Sequence, residues 1–439
     1  MRSGARTISW SFAKLLGACG YAHKNFDQAG GTLVHQHDFV IQVDDYGSFW
    51  DPEIPAQALE AIVRSARTTN TIVIVAVHGW HHNAAPEDAF ATGFARALQE
   101  IRNTLQTNVD GTPNTYQRAR QILTGSGDVN IFGLYVGWRG RSLPGKLDYL
   151  TFWDRKHAAE HVGDGDLREF LLRLNLIYRT SYQDRTSSTP YVGLVSFGHS
   201  LGAQVLFKAI SSTMENELIA ATHISHELAA PRPNLAKPLE GFGDIVILVN
   251  PAFEALQFER IRQLSAQVAY DRRQPPLLLV LSADTDVGRH VFFPARRWVD
   301  SIFHVLPRDE QSDLWSCALG EYGPQRTHTI TLLPEPQASA SQFYASDSPD
   351  RRRDIVNFDL TNMPTLSRVR LEPIAGRHKP FSPFLVAYGG KALIQGHGGI
   401  YAQELLNFLN DYVGIARGKR LLLANPALQQ CPEPPSNRK

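Results

Sequence analysis

One pentapeptide, Gly198-His199-Ser200-Leu201-Gly202, has a spacing that chemistry can use. It follows the apolar run Tyr191–Phe197 and precedes a helix-like segment, Ala203–Lys208. In a G-x-S-x-G sequence between strand and helix, the serine occupies a sharp turn and the glycines stand where side chains would clash. Such a turn holds Ser200 Oγ up, and the start of the next helix directs positive charge at the same point. Ser200 is thereby suited to nucleophilic attack on an acyl carbon. The competing reading is an ordinary Gly-rich turn, and the flanking elements favour the nucleophile.

His78-Gly79-Trp80, just past the apolar run 71–77, is the second signal. Acyl transfer develops negative charge on a carbonyl oxygen, and a backbone donor aimed there is worth about 3 kcal/mol. The N–H of Leu201, directly after the nucleophile, and that of Trp80, in the loop after the earlier strand, are the two candidates. His78, His81 and His82 also raise a metal reading. No nearby Cys completes a ligand set and the spacing is not H-E-x-x-H. Neither metal nor cofactor is expected. His199 is expected to pack beneath the turn.

These residues need a scaffold. Runs at 39–43, 71–77, 130–136, 191–197, 245–249, 277–282 and 384–388 read as strands. Helical patterns occupy 55–66, 86–106, 166–179, 201–213, 253–267 and 401–415. Residues 71–77 are apolar on both faces, as a buried parallel strand requires. The alternation implies an α/β fold with a mostly parallel sheet covered on both sides. Residues 139–165 and 300–380 break the rhythm, and the longer excursion is expected to build a cap.

Composition narrows the function. The chain has 439 residues, 43% hydrophobic and 10% aromatic, which excludes disorder throughout. Lys plus Arg number 44 against 43 Asp plus Glu, so no global basic field points to nucleic acid. No apolar stretch reaches the length of a membrane-spanning helix. Cys19, Cys317 and Cys431 match no zinc spacing. Leu16-Gly17-Ala18-Cys19 resembles a lipobox, although Lys14 interrupts the apolar run that a signal peptide needs. The favoured reading is a cytoplasmic chain with a frayed or short-helical start. The alternative is an envelope lipoprotein anchored through Cys19.

The chain resembles the α/β-hydrolase superfamily, and within it the bacterial serine esterase and lipase-like proteins, over about residues 38–415. The likeness rests on His78-Gly79-Trp80-His81-His82-Asn83, on Gly198–Gly202, on Asn250-Pro251-Ala252-Phe253 and on His397-Gly398-Gly399-Ile400. It implies helices on both faces of the sheet, a long insertion before the last strand, and nucleophile, acid and histidine in that chain order. The acid then follows the strand 277–282. Asp286, farther into the loop, is preferred, and Asp284 is the alternative. The histidine follows the last strand. His397, among glycines that let its loop reach inward, is preferred over His378, which precedes that strand.

On this reading His397 takes the Ser200 proton, Asp286 orients the imidazole, and Leu201 and Trp80 hold the oxyanion. The expected activity is hydrolysis of a small-molecule or lipid ester through an acyl-enzyme. The same triad could cleave a thioester, amide or lactone, or the fold could be catalytically idle and only bind. One catalytic domain then spans 38–415 with an insertion at about 300–380, flanked by an N-terminal segment, 1–37, and a tail, 416–439.

Overall fold

The computed structural model describes residues 35–106, 128–142, 148, 151–182, 189–227, 238–283, 309–334, 359–362, 366–389, 393–394 and 399–424. Its strands are β1 (Asp38–Gln42), β2 (Asn70–Val77), β3 (Val129–Gly137), β4 (Val192–His199), β5 (Ile245–Val249), β6 (Leu278–Ser282), β7 (His328–Leu332), β8 (Val369–Pro373) and β9 (Phe384–Gly389). They form one sheet in the order β1-β3-β2-β4-β5-β6-β9-β7-β8. Every pairing is parallel except β7 with β8. The chain is therefore of the α/β class with a mostly parallel sheet, as its alternating pattern implied.

The central strands read as unbroken apolar runs because helices cover both of their faces. One face packs against α1 (Glu53–Ala66), α3 (Phe152–Asp164), α4 (Asp166–Tyr182), α5 (Leu201–Glu227) and α6 (Ala255–Gln267). The other packs against α2 (Ala89–Gln106) and α8 (Gln403–Ala424). No helix among the described residues is long and apolar enough to cross a membrane.

The strand order locates a crevice. From β2 the chain turns back to β3 through α2, then crosses to β4 and moves on to β5 through α5. The two helices lie on opposite faces, so the loops leaving the adjacent strands β2 and β4 diverge. Such a switch point opens a crevice at the carboxyl ends of the strands. His78-Gly79-Trp80 leaves β2 there, and Ser200 leaves β4.

Among the described residues, four α-helices or strands were not legible as such in the sequence. Helix α3 lies inside the irregular stretch 139–165. Its buried positions include Arg155, Lys156 and Gly163 beside Phe152, Ala158, Ala159 and Val162, so no clean apolar stripe marks it. Lys156 Nζ bonds both oxygens of Glu254, at 2.8 and 2.9 Å, in full burial, which satisfies a charge no pattern would place inside. Strands β7 and β8 fall in the stretch 300–380. They are short, alternate buried and exposed positions, and extend the sheet beyond β9.

Part of the stretch 300–380, which was expected to build a cap, lies outside the described residues, and its described part extends the sheet. Besides these two strands, α7 (Asp309–Ser316) and the turn after it pack on the segment following β5, where Ala255 N–H donates to Cys317 O and Leu319 N–H to Phe253 O. Helix α8 also runs to Ala424, past the end expected near 415, with Lys419, Arg420, Leu421 and Leu422 buried.

Candidate active site

Ser200 has φ +57°, a left-handed conformation costing a non-glycine residue on the order of 1–3 kcal/mol. Tertiary contacts hold it there. Ser200 N–H donates to Val249 O at 3.1 Å, and Ser200 O accepts from Ala203 N–H and Ala252 N–H, each at 3.1 Å. The turn is thus pinned to the end of β5 and to the first turn of α5. Leu201 opens α5, and its N–H has no hydrogen-bond partner among the described residues. Helix starts leave such donors over, and this one adjoins the strained serine.

The glycines of the pentapeptide answer to space. A Cβ on Gly202 would lie 2.3 Å from the carbonyl oxygens of both Val77 and His78, and one on Gly198 would lie 2.8 Å from Ala203 Cα. Gly79 is as tightly placed, since its Cβ would meet Ser200 Cβ at 2.6 Å. The loop after β2 and the serine turn therefore touch. That contact places Trp80, one residue on, beside the same crevice.

His78 sets the direction of that loop. It is fully buried and its ring stacks parallel to Trp138 with centroids 5.6 Å apart. Trp138 N–H donates to Nε2 at 3.0 Å, so the proton sits on Nδ1, which donates to Gly79 O at 2.9 Å. Gly79 C=O and Trp80 N–H belong to one trans peptide and point in opposite directions. Holding the carbonyl on His78 turns the Trp80 N–H away from it. The Trp80 ring itself packs edge-on to Phe152 in the core. His199 stacks on Phe90 with centroids 6.0 Å apart and is almost wholly buried beneath the turn.

The other histidines of this loop each have a carboxylate. His82 Nδ1 lies 3.1 Å from Asp88 Oδ1, and Asp88 also caps α2 by accepting from Phe90 N–H at 2.8 Å. His81 Nδ1 lies 2.7 Å from Asp148 Oδ2. Asp148 is fully buried and its Oδ1 accepts from Ser142 N–H and Thr151 Oγ1. His81 stacks on Trp80 at 3.8 Å and has φ +69°. This His–Asp pair was not read from the sequence. Its members stand 67 residues apart, and Asp148 falls in the stretch that carried no pattern.

Asn250, at the end of β5, has φ +47°, and its Oδ1 accepts from Ala283 N–H at 2.9 Å. That bond fixes the exit of β6 immediately before Asp284. Asp284, Asp286, His397 and Cys19 lie outside the described residues. His378 lies in the segment before β9 and packs edge-on to His328 at 4.8 Å, away from the serine turn in the strand order.

Burial lowers the His78 pKa to about 4, against the Gly79 hydrogen bond that raises it, and burial likewise lowers His328 to about 4. An unfolded histidine titrates near 6.5. Between these values the unfolded chain binds more protons, so stability is complete above pH ~6.5 and falls as pH drops toward ~4. Urea unfolding at about pH 7 and about pH 4.5 is expected to differ by roughly 2–3 kcal/mol per histidine. A flat profile would contradict the buried neutral state.

Neither protein-family models, nor curated proteins, nor solved structures give a match to this chain.

Proposed function

We propose that the chain is a serine hydrolase of the α/β-hydrolase fold that cleaves carboxylic esters through an acyl-enzyme. The observation that carries the reading is Ser200 at φ +57°, in contact with Gly79 and next to the Leu201 N–H, which has no partner among the described residues. An ordinary βα turn has no need of that strain, and strain of this kind collects at functional sites. Ser200 is the nucleophile, and the N–H groups of Leu201 and Trp80 are the oxyanion donors. Asp286 is the acid, with Asp284 as its alternative, and His397 is the base. Strands β4, β6 and β9 run in one direction, so the segments that follow them leave from the same edge of the sheet. This supports a triad drawn from those three segments. The pair His81–Asp148 favours a second choice of base on the loop after β2.

The chemistry is general base catalysis. The imidazole removes the Ser200 proton as Oγ attacks the ester carbonyl carbon. The oxyanion forms against the two N–H groups, the alcohol leaves with the proton, and water then releases the acid by the same steps in reverse order. A fluorophosphonate probe is expected to label the wild-type chain and not Ser200→Ala. Equal labelling of the two would remove Ser200 from the role, and no labelling of either would leave the turn catalytically idle. A series of p-nitrophenyl esters, with thioester and anilide analogues, then ranks the bond cleaved.

A further inference from the structure

Helices α2 and α8 flank each other on the face of the sheet opposite α5. Between them runs a groove of about 380 Å³ with an apolar floor made by Ile74, Val195 and Phe197. It is within the size range of small-molecule sites, which are mostly apolar with a few polar groups that fix orientation. Tyr401 stands at the end nearer the serine turn, its Oη donating to Phe90 O at 2.9 Å. Arg417 stands at the other, lying over Gly193 at the start of β4. From Gly193 to His199 the strand advances about 20 Å.

Among the described residues, the charge at the Arg417 end is unbalanced. Arg417 Nη2 donates to Tyr191 Oη at 2.8 Å and its Nε lies 3.3 Å from Asp244 Oδ2, while Nη1 has no hydrogen-bond partner among the described residues. The fully buried Asp244 is already taken up by Leu194 N–H at 2.9 Å and by the hydroxyls of Tyr178 and Tyr182 at 3.2 and 3.3 Å. Arg420, also buried, donates through Nε to the Asp244 backbone carbonyl and lies over the Tyr178 ring at 6.0 Å, and its Nη2 has no hydrogen-bond partner among the described residues. Among the described residues, Asp244 is the carboxylate that faces both guanidiniums, and its carboxyl group pairs with that of Arg417. Buried charge is stable only when paired, and a second carboxylate is the group this end fits.

We propose that the groove binds a long-chain carboxylate, its head group on Arg417 and its chain lying along β4 toward Tyr401. The head group would sit about 20 Å from the serine turn, so the site is separate from the reaction crevice.

Isothermal titration of the full chain, stripped of lipid, with palmitate and with the uncharged alcohol of the same chain length tests this. Palmitate is expected to saturate one site. Ala97→Phe, which fills the groove from the half-exposed face of α2, is expected to weaken it by about tenfold or more. Arg417→Gln is expected to weaken palmitate by about tenfold and to leave the alcohol unchanged. Ser200→Ala is expected to bind as wild type. Absence of saturable binding, as when the chain's own residues fill the groove, would overturn the proposal. So would indifference to Ala97→Phe, equal affinity for acid and alcohol, or loss of binding in Ser200→Ala. If Arg417→Gln fails to fold, Ala97→Phe and the acid–alcohol comparison still decide.

Discussion

Hydrolysis of p-nitrophenyl esters is expected to fall on the order of 10⁴ to 10⁶-fold in Ser200→Ala and by a similar factor in His397→Ala, with the double variant no worse than either. The reason is that nucleophile and base act as one unit: a serine hydroxyl without its base is a poor nucleophile, and a base without the serine has no proton to take. Non-additivity is the informative part. Two residues that merely stabilised the fold at separate sites would give losses that multiply.

His81→Ala separates the two assignments of the base. If His397 is the base, the His81 change removes a ring stacked on Trp80 and a bond to Asp148, and costs about tenfold through the oxyanion loop. If His81 is the base, the large loss appears in His81→Ala and in Asp148→Asn, while His397→Ala stays active. Comparison of kcat with KM sharpens this, since loss of the base lowers kcat and loss of loop shape also raises KM.

Gly202→Ala is expected to cost about 3 kcal/mol or more of folding stability and to abolish probe labelling. The added methyl would stand 2.3 Å from two backbone carbonyl oxygens, Val77 O and His78 O. Neither can yield without shifting the end of β2, a central strand of the sheet, or the start of α5 packed against it. A control isolates this from backbone strain. Gly376 has φ +74°, but a Cβ there meets nothing within 4 Å. Gly376→Ala is expected to cost about 1 kcal/mol from conformation alone and to leave labelling intact. Melting curves of the two variants beside wild type make the comparison, and equal losses would show that packing at Gly202 is not the cause.

The sequence by itself carried what depends on short range. The Gly198–Gly202 spacing dictates a turn between strand and helix, and the unbroken apolar runs dictate strands buried on both faces. Both expectations rest on a few consecutive residues and the backbone geometry they permit. The strand order, which brings Gly79 against Ser200, is not local. It follows from the chain turning back from β2 to β3 before crossing to β4. The pairing of His81 with Asp148, the burial of Lys156 on Glu254, and the groove between α2 and α8 were decided by tertiary structure alone. Each joins residues remote in sequence through polar contacts or shape. Local pattern records only which residues shun water, and not which partner meets a buried charge.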